Sequence, residues 1–158
     1  MDPIQSLRKE VDRLLSGKGA HADFDAAVAD FPAKLRGVKP QGSPHSAWEL
    51  LEHIRIAQWD MLEFSRDSKY VSPDWPGGYW PDQSEPESEA AWDESVKAVH
   101  RDLAAMRKLV ADSESDLFTP IAHGDGQTLL REAIQMADHN AYHVGELVFL
   151  RRLMEIWK

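Results

Sequence analysis

The sequence has 158 residues, enough for one domain to bury a continuous apolar core without disulfide bonds. With 18 Lys and Arg against 27 Asp and Glu, the chain is acidic, and this charge disfavours binding to a nucleic-acid backbone. The absence of cysteine excludes thiolate metal sites and cysteine nucleophiles, which leaves histidine, aspartate and glutamate as candidate metal ligands.

The first ten residues are charged and amphipathic and contain no apolar segment of the kind found in a secretion signal. No apolar run in the chain approaches the length needed to cross a bilayer. We therefore expect a cytoplasmic protein in which residues 1–158 form one domain, with neither a membrane nor a nucleic acid as partner.

Two helices are predicted near the N-terminus. The first begins at Pro3, a favourable first-turn residue, and ends before Gly17. Its predicted apolar face consists of Ile4, Leu7, Val11, Leu14 and Leu15. A second, short helix lies between Asp23, its capping residue, and Phe31, and Pro32 stops or bends it.

A long helix is predicted to follow Ser46, because Ser46 and Glu49 have the spacing of a capping box. Its inward face would carry Leu50, His53, Ile54, Ala57, Met61 and Phe64. A histidine therefore interrupts an otherwise apolar face. The next segment, 66–81, is rich in proline, glycine and aromatic residues and predicts a loop that crosses the end of the bundle or lines a pocket.

Two further long helices are predicted in the second half of the chain. One begins near 85–88 and continues to about Val110, with Trp92, Val96, Val99, Leu103, Met106 and Val110 at bundle spacing. The last runs from about Thr128 to Trp157, and its inward face would carry Leu129, Ala133, Met136, His139, His143, Leu147, Leu150, Met154 and Trp157. Four long helices, one short helix and no strand-like alternation predict an all-α helix bundle.

Three of the histidines have the arrangement expected of a metal site. His139 and His143 are four residues apart, so both imidazoles lie on one side of the last helix and can reach one ion. His53, on a facing helix, would complete a set that leaves a position open, as in catalytic zinc sites. Two histidines at this spacing often occur by chance, and buried histidines can instead bond to a carboxylate or carbonyl. Three together favour a metal, because several buried imidazoles without acidic partners would be costly.

Other familiar sites do not match. A zincin needs glutamate directly after its first histidine, but His139 is followed by Asn140. A ferritin-like di-iron site needs glutamate three residues before histidine, and these positions hold Leu50, Met136 and Asn140. No GxSxG motif is present, which disfavours a serine nucleophile.

The segment ADHNAYHVGELVFLRR, residues 137–152, resembles the last-helix signature of the DinB/YfiT-like superfamily. In that signature two histidines four apart are followed by glycine and then glutamine or glutamate, here His139, His143, Gly145 and Glu146. The segment SPHSAWELLEHIRIAQWDMLEF resembles the second helix of the family, whose metal-binding histidine falls at His53. The resemblance implies an up-down-down-up four-helix bundle with one divalent ion on the three histidines. Zinc is the expected ion, with nickel, manganese and iron as alternatives.

Members of this superfamily with assigned activities include thiol-dependent S-transferases and a maleylpyruvate isomerase. The resemblance therefore implies a metal-dependent transferase or hydrolase that activates a thiol or water, with a small thiol as one partner. It also suggests a homodimer formed by helix faces. Two alternatives stay open. The chain could be a metal- or ligand-binding bundle without turnover, or an interaction or scaffold protein whose core histidines are satisfied by hydrogen bonds.

The chain departs from the family pattern at two positions. Tyr142 stands where many members have a further histidine, and Glu146 stands where many have glutamine. Glu146 is expected to orient a ligand or bind the ion occasionally, although a partly exposed carboxylate would also explain it. The remaining histidines are expected outside the ligand set: His21, His45, His100 and His123.

Overall fold

The computed structural model describes residues 2–157. The regular secondary structure of this range is helical, apart from one isolated β-bridge between Pro120 and Thr128. The α-helices are α1 (Pro3–Leu15), α2 (Phe24–Val28), α3 (Ala47–Arg66), α4 (Glu89–Ala111) and α5 (Leu129–Leu153). Short 3₁₀ helices at Ala33–Leu35 and Gly77–Tyr79 lie in the connections. The predicted all-α class is confirmed. Within the described range, no helix combines the length and the apolar character that a membrane span requires.

Side-chain caps fix where the helices begin. The Ser46 hydroxyl accepts from the backbone N–H of Glu49, and the Glu49 carboxylate accepts from the N–H of Ser46, so the predicted capping box is formed. Asp23, Ser88 and Thr128 cap the starts of α2, α4 and α5 in the same way. The capping residues in the sequence therefore predicted the first residues of these helices to within a few positions.

The last helix ends earlier than predicted. It stops at Leu153 rather than at Trp157, because Glu155 adopts a left-handed conformation with a φ of 59°. The N–H groups of Glu155 and Ile156 then donate to the carbonyls of Arg152 and Arg151, which closes the helix in a Schellman motif. Such motifs usually have glycine at the left-handed position, and this sequence gives no such signal.

The core consists of two apolar clusters stacked along the bundle. The first joins the N-terminal halves of α3 and α4 to the C-terminal half of α5, through Leu50, Leu51, Ile54, Trp92, Val99, Val144, Leu147 and Leu150. The second joins the other halves of these helices to α1, through Val11, Leu15, Met61, Leu62, Met106, Val110, Leu129, Ala133 and Met136. The three histidines of interest lie where the two clusters meet.

Helix α1 buries a narrower face than predicted. Val11 and Leu15 are buried, but Ile4 and Leu14 are 39% and 53% exposed. Polar contacts also fasten this helix, since Arg8 donates to the carbonyls of Val110 and Ser115. The helix therefore needs less apolar contact than its sequence pattern suggested.

Candidate metal centre

His53 from α3 and His139 and His143 from α5 meet in the interior of the bundle. One ring nitrogen from each residue lies within 4.8 Å of the other two, and the Nε2 atoms of His53 and His139 are 3.0 Å apart. Nitrogens that share a tetrahedral zinc ion are roughly 3.4 Å apart, given zinc–nitrogen bonds of about 2.0–2.1 Å. The structure thus brings together all three histidines singled out in the sequence, and the His53–His139 pair is near this spacing.

The His53 ring is oriented by the backbone of the loop that follows α3. Its Nδ1 lies 2.8 Å from the carbonyl oxygen of Tyr79. A carbonyl oxygen can only accept, so Nδ1 must carry the proton. In the neutral ring, Nε2 therefore has a free lone pair that faces the other two histidines.

Glu146 fixes the His143 ring in a corresponding way. The Nδ1 of His143 donates to the Glu146 carboxylate over 2.6 Å, within one turn of α5. The other nitrogen, Nε2, is then the one available to a ligand. A histidine that binds a metal commonly donates its second ring N–H to a carboxylate or carbonyl, and His53 and His143 each have such a partner.

His139 has an unpaired nitrogen. Its Nε2 can donate to the lone pair of His53 Nε2, while its Nδ1 is buried without a hydrogen-bond partner among residues 2–157. A buried imidazole nitrogen without a partner is costly. Three convergent imidazoles, with the tautomers of His53 and His143 fixed by hydrogen bonds, form a donor set that suits a divalent cation.

Burial keeps these rings uncharged at neutral pH. Loss of hydration, helped by the neighbouring imidazoles, lowers the pKa values of His139 and His143 to about 4 each. Burial also lowers the pKa of His53. Neutral imidazole is the form that binds metal ions, so the fold prepares all three rings as ligands.

Aromatic side chains enclose the cluster. The indole of Trp80 stacks on His53 with ring centroids 3.9 Å apart, and His45 stacks on the opposite indole face at 4.0 Å. Tyr142 is 66% exposed and meets the His143 ring edge-on. These contacts hold the His53 and His143 rings in place without adding a charge.

A cavity of about 390 Å³ adjoins the three histidines. Its wall includes Asp60, Trp75, Tyr79 and Tyr142 together with the imidazoles. The phenol of Tyr79 donates to Asp60 over 2.8 Å, so this residue contacts His53 through its backbone and Asp60 through its side chain. Space for a small molecule thus lies directly beside the candidate ligands.

The other histidines lie outside the cluster. His123 Nε2 lies 2.9 Å from the carbonyl of Phe64, His100 contacts Asp25, and His21 contacts a neighbouring backbone carbonyl. His45 approaches the centre only through the stack with Trp80. Among residues 2–157, the group able to hold an ion is His53, His139 and His143.

Sequence reasoning missed two contributors, the carbonyl of Tyr79 and the ring of Trp80. Both belong to the aromatic segment 66–81, for which lining a pocket was one of two predicted roles. The aromatic content of this segment was the available signal. Nothing in a sequence identifies which backbone carbonyl will meet a particular imidazole.

The family model described as the DinB superfamily matches residues 18–147. The matched range contains α2, α3 and α4, most of α5, the three histidines and Glu146. No match was found among curated proteins or among solved structures.

Proposed function

The chain belongs to the DinB superfamily, and on that basis we propose that it is a metal-dependent enzyme with one divalent cation on His53, His139 and His143. Zinc is the proposed ion because it suits imidazole ligands, with nickel, manganese or iron as alternatives in the same place. The proposed reaction class is transfer or hydrolysis by an activated thiol or water.

The observation that carries this proposal is the convergence of three neutral imidazoles, two of which, His53 and His143, have their outer nitrogens already paired. His53 donates to the Tyr79 carbonyl and His143 to Glu146, so both Nε2 lone pairs are directed to the shared centre. Three neutral ligands leave a divalent ion its full positive charge. Such an ion lowers the pKa of a thiol or water bound beside it and so supplies a nucleophile near neutral pH.

The cavity supports an enzyme over a purely structural ion. A structural site is closed by protein atoms on all sides, whereas this cluster opens onto about 390 Å³ of space. In this proposal the chain's own side chains position the reactants: Ala57 and Met61 supply apolar surface to the cavity, and Tyr79 and Tyr142 supply aromatic walls. The expected partner is a small thiol with an electrophilic second substrate.

Elemental analysis tests the proposed site. After zinc loading and dialysis, the wild-type protein should retain one equivalent, and His143→Ala should retain none while its helical circular dichroism persists. The matched control is His100→Ala, because His100 lies on the surface of α4 outside the cluster and should keep the full equivalent. A metal-free wild-type protein, or full zinc content in His143→Ala, would refute the site. Turnover assays with small thiols and electrophiles then test catalysis.

We also propose that α1, α3, α4 and α5 form one domain with the up-down-down-up order that the family resemblance implies. The contact of Arg8 with the carbonyl of Val110 and the pairing of Asp12 with Arg107 support antiparallel α1 and α4. The shared cluster of the N-terminal halves of α3 and α4 with the C-terminal half of α5 supports the remaining directions.

A homodimer through the outer face of α5 is the proposed assembly. This face exposes apolar side chains that the bundle leaves uncovered: Ile134, Tyr142, Phe149 and Leu153. If these side chains packed against the same side chains of a second copy of the chain, the interface would be isologous. Sedimentation should therefore show a dimer at micromolar concentration and a monomer for Phe149→Glu. The control Val71→Glu alters an exposed loop position and should stay dimeric. A monomeric wild-type protein would disprove this assembly.

A further inference from the structure

Asp60 places a carboxylate in the wall of the cavity beside the three histidines. It follows His53 by two turns on α3 and lines the same cavity. Its Oδ2 accepts from the Tyr79 phenol at 2.8 Å, whereas Oδ1 is buried and has no hydrogen-bond partner among the described residues. A buried carboxylate oxygen without a donor is costly, so Asp60 brings to the wall of this cavity a carboxylate that its neighbours satisfy only in part.

The negative charge at this position is not balanced by a nearby cation. The lining of the cavity contains no Lys or Arg, and Asp60 is its sole carboxylate. The two arginines of α3 nearest in sequence have other partners, since Arg55 pairs with Glu52 and Arg66 with Glu63. Anionic groups are therefore repelled from this end of the cavity, and cationic groups are attracted.

Aromatic residues line the same cavity as Asp60. Trp75, Tyr79 and Tyr142 line the cavity, and the Trp75 and Tyr79 rings meet edge to face with centroids 5.5 Å apart. Tyr70 also lies near the carboxylate: burial, helped by the charge of Asp60, raises the pKa of Tyr70 to about 12. A carboxylate among aromatic faces is the environment that favours an ammonium group over a neutral or anionic one.

We propose that this cavity binds a molecule with a protonated amine, held by Asp60 and the surrounding aromatic rings. The amine would lie at the Asp60 end and the reacting group at the histidine end, so the substrate class is a small amine that also carries a metal-seeking donor, such as an aminothiol. The position of the reacting group rests on the proposed metal-dependent function. Recognition of the amine does not, because Asp60 and the rings are present without the ion.

Three probes of similar size separate charge from shape: benzylamine, benzyl alcohol and benzoate. Binding is measured from the indole N–H signals in nuclear magnetic resonance, using the protein as purified and again after chelation. The measurement after chelation is a control, because a probe cannot then bind directly to a metal ion. We expect benzylamine to bind about tenfold or more tightly than benzyl alcohol, the effect of one charge-assisted hydrogen bond, and benzoate to bind most weakly.

Asp60→Asn is the decisive variant, because asparagine keeps an oxygen for the Tyr79 phenol while it removes the charge. It should bind benzylamine and benzyl alcohol equally. The matched control Asp138→Asn removes an exposed carboxylate of α5 that lines a different surface pocket, and it should keep the tenfold preference. Zinc content should be unchanged in both variants.

The outcomes distinguish this inference from the proposed function. Equal binding of benzylamine and benzyl alcohol by the wild-type protein, or an unchanged preference for benzylamine in Asp60→Asn, would overturn amine recognition even if zinc binds fully. A protein that takes up no zinc but prefers benzylamine through Asp60 would refute the metal centre and leave amine recognition standing.

Discussion

The indole ring of Trp80 lies parallel to the imidazole of His53, with 3.9 Å between the ring centroids. His45 covers the other face of the same indole. Together with the hydrogen bond from His53 Nδ1 to the Tyr79 carbonyl, this stack fixes both the plane and the rotation of the His53 ring. Two neighbouring residues of one loop thus position a ring that belongs to α3.

Trp80→Leu should therefore weaken zinc binding while leaving the ligands in place. Contacts that orient a metal ligand are typically worth 10–100-fold in affinity, and we expect a loss of about tenfold for a stack without a hydrogen bond. Competition with a chromophoric chelator measures this change. Trp59→Leu is the control, because Trp59 contacts Arg66 on α3 and none of the three histidines. Equal affinities of wild type and Trp80→Leu would show that the stack does not position the ring.

The role of Glu146 can be divided into hydrogen bonding and charge. Glutamine can still accept from His143 Nδ1, so Glu146→Gln should keep the ring tautomer. It should lower zinc affinity only a few-fold, because the variant loses only the negative charge beside the His143 ring. Glu146→Ala removes the acceptor and should lower affinity about 10–100-fold. The same competition titration distinguishes the two. Equal losses in both variants would mean that the charge alone matters.

Much of the architecture could be predicted from local signals in the sequence. The capping box at Ser46 and Glu49 and the apolar spacing along α3 and α4 are short-range features, and the structure contains both. His53, His139 and His143 could be grouped because each interrupts an apolar face, and inward faces of one bundle converge.

The parts that could not be predicted depend on geometry outside local spacing. The end of α5 is formed by Glu155 in a conformation that favours glycine, so the sequence lacked the usual signal. The exposure of Ile4 and Leu14 depends on how α1 sits against its neighbours. The role of Asp60 depends on the path of the loop that brings Tyr79 to it, and helix periodicity does not reveal that path.

Removal of the metal should destabilise the protein, because an ion bound by residues of both α3 and α5 favours the folded state. Free zinc at one hundred times its Kd adds about 2.7 kcal/mol to the free energy of unfolding. This corresponds to an increase in Tm of roughly 5–10 °C for a chain of this size. Thermal melts with zinc and with a chelator measure the shift, and His143→Ala should show none. A chelator-insensitive wild-type protein would contradict the prediction.

The ion pair between Asp12 and Arg107 provides a test of the proposed order of the helices, since it joins α1 to α4 across 95 positions of the chain. Its two hydrogen bonds, 2.7 and 3.0 Å long, are the main cause that lowers the pKa of Asp12 below 3.8. The folded state therefore binds a proton at Asp12 less readily than the unfolded state does. The ion pair therefore stabilises the folded state fully above the pKa that Asp12 has in the unfolded chain. This stabilisation is lost as the pH falls through the lower pKa that Asp12 has in the folded protein.

A double-mutant cycle with Asp12→Asn and Arg107→Gln should give a coupling free energy of about 0.2–1 kcal/mol at pH 7, the range for exposed pairs. Urea unfolding measures this coupling, which should decrease as the pH is lowered from 5 towards 3 because protonated Asp12 resembles asparagine. The control is Glu94→Gln, since the Glu94–Lys97 pair lies within α4 and its loss leaves the contact with α1 intact. No coupling between Asp12 and Arg107 at neutral pH would contradict this prediction, and the contact of Arg8 with the carbonyl of Val110 would then be the remaining side-chain support for antiparallel α1 and α4.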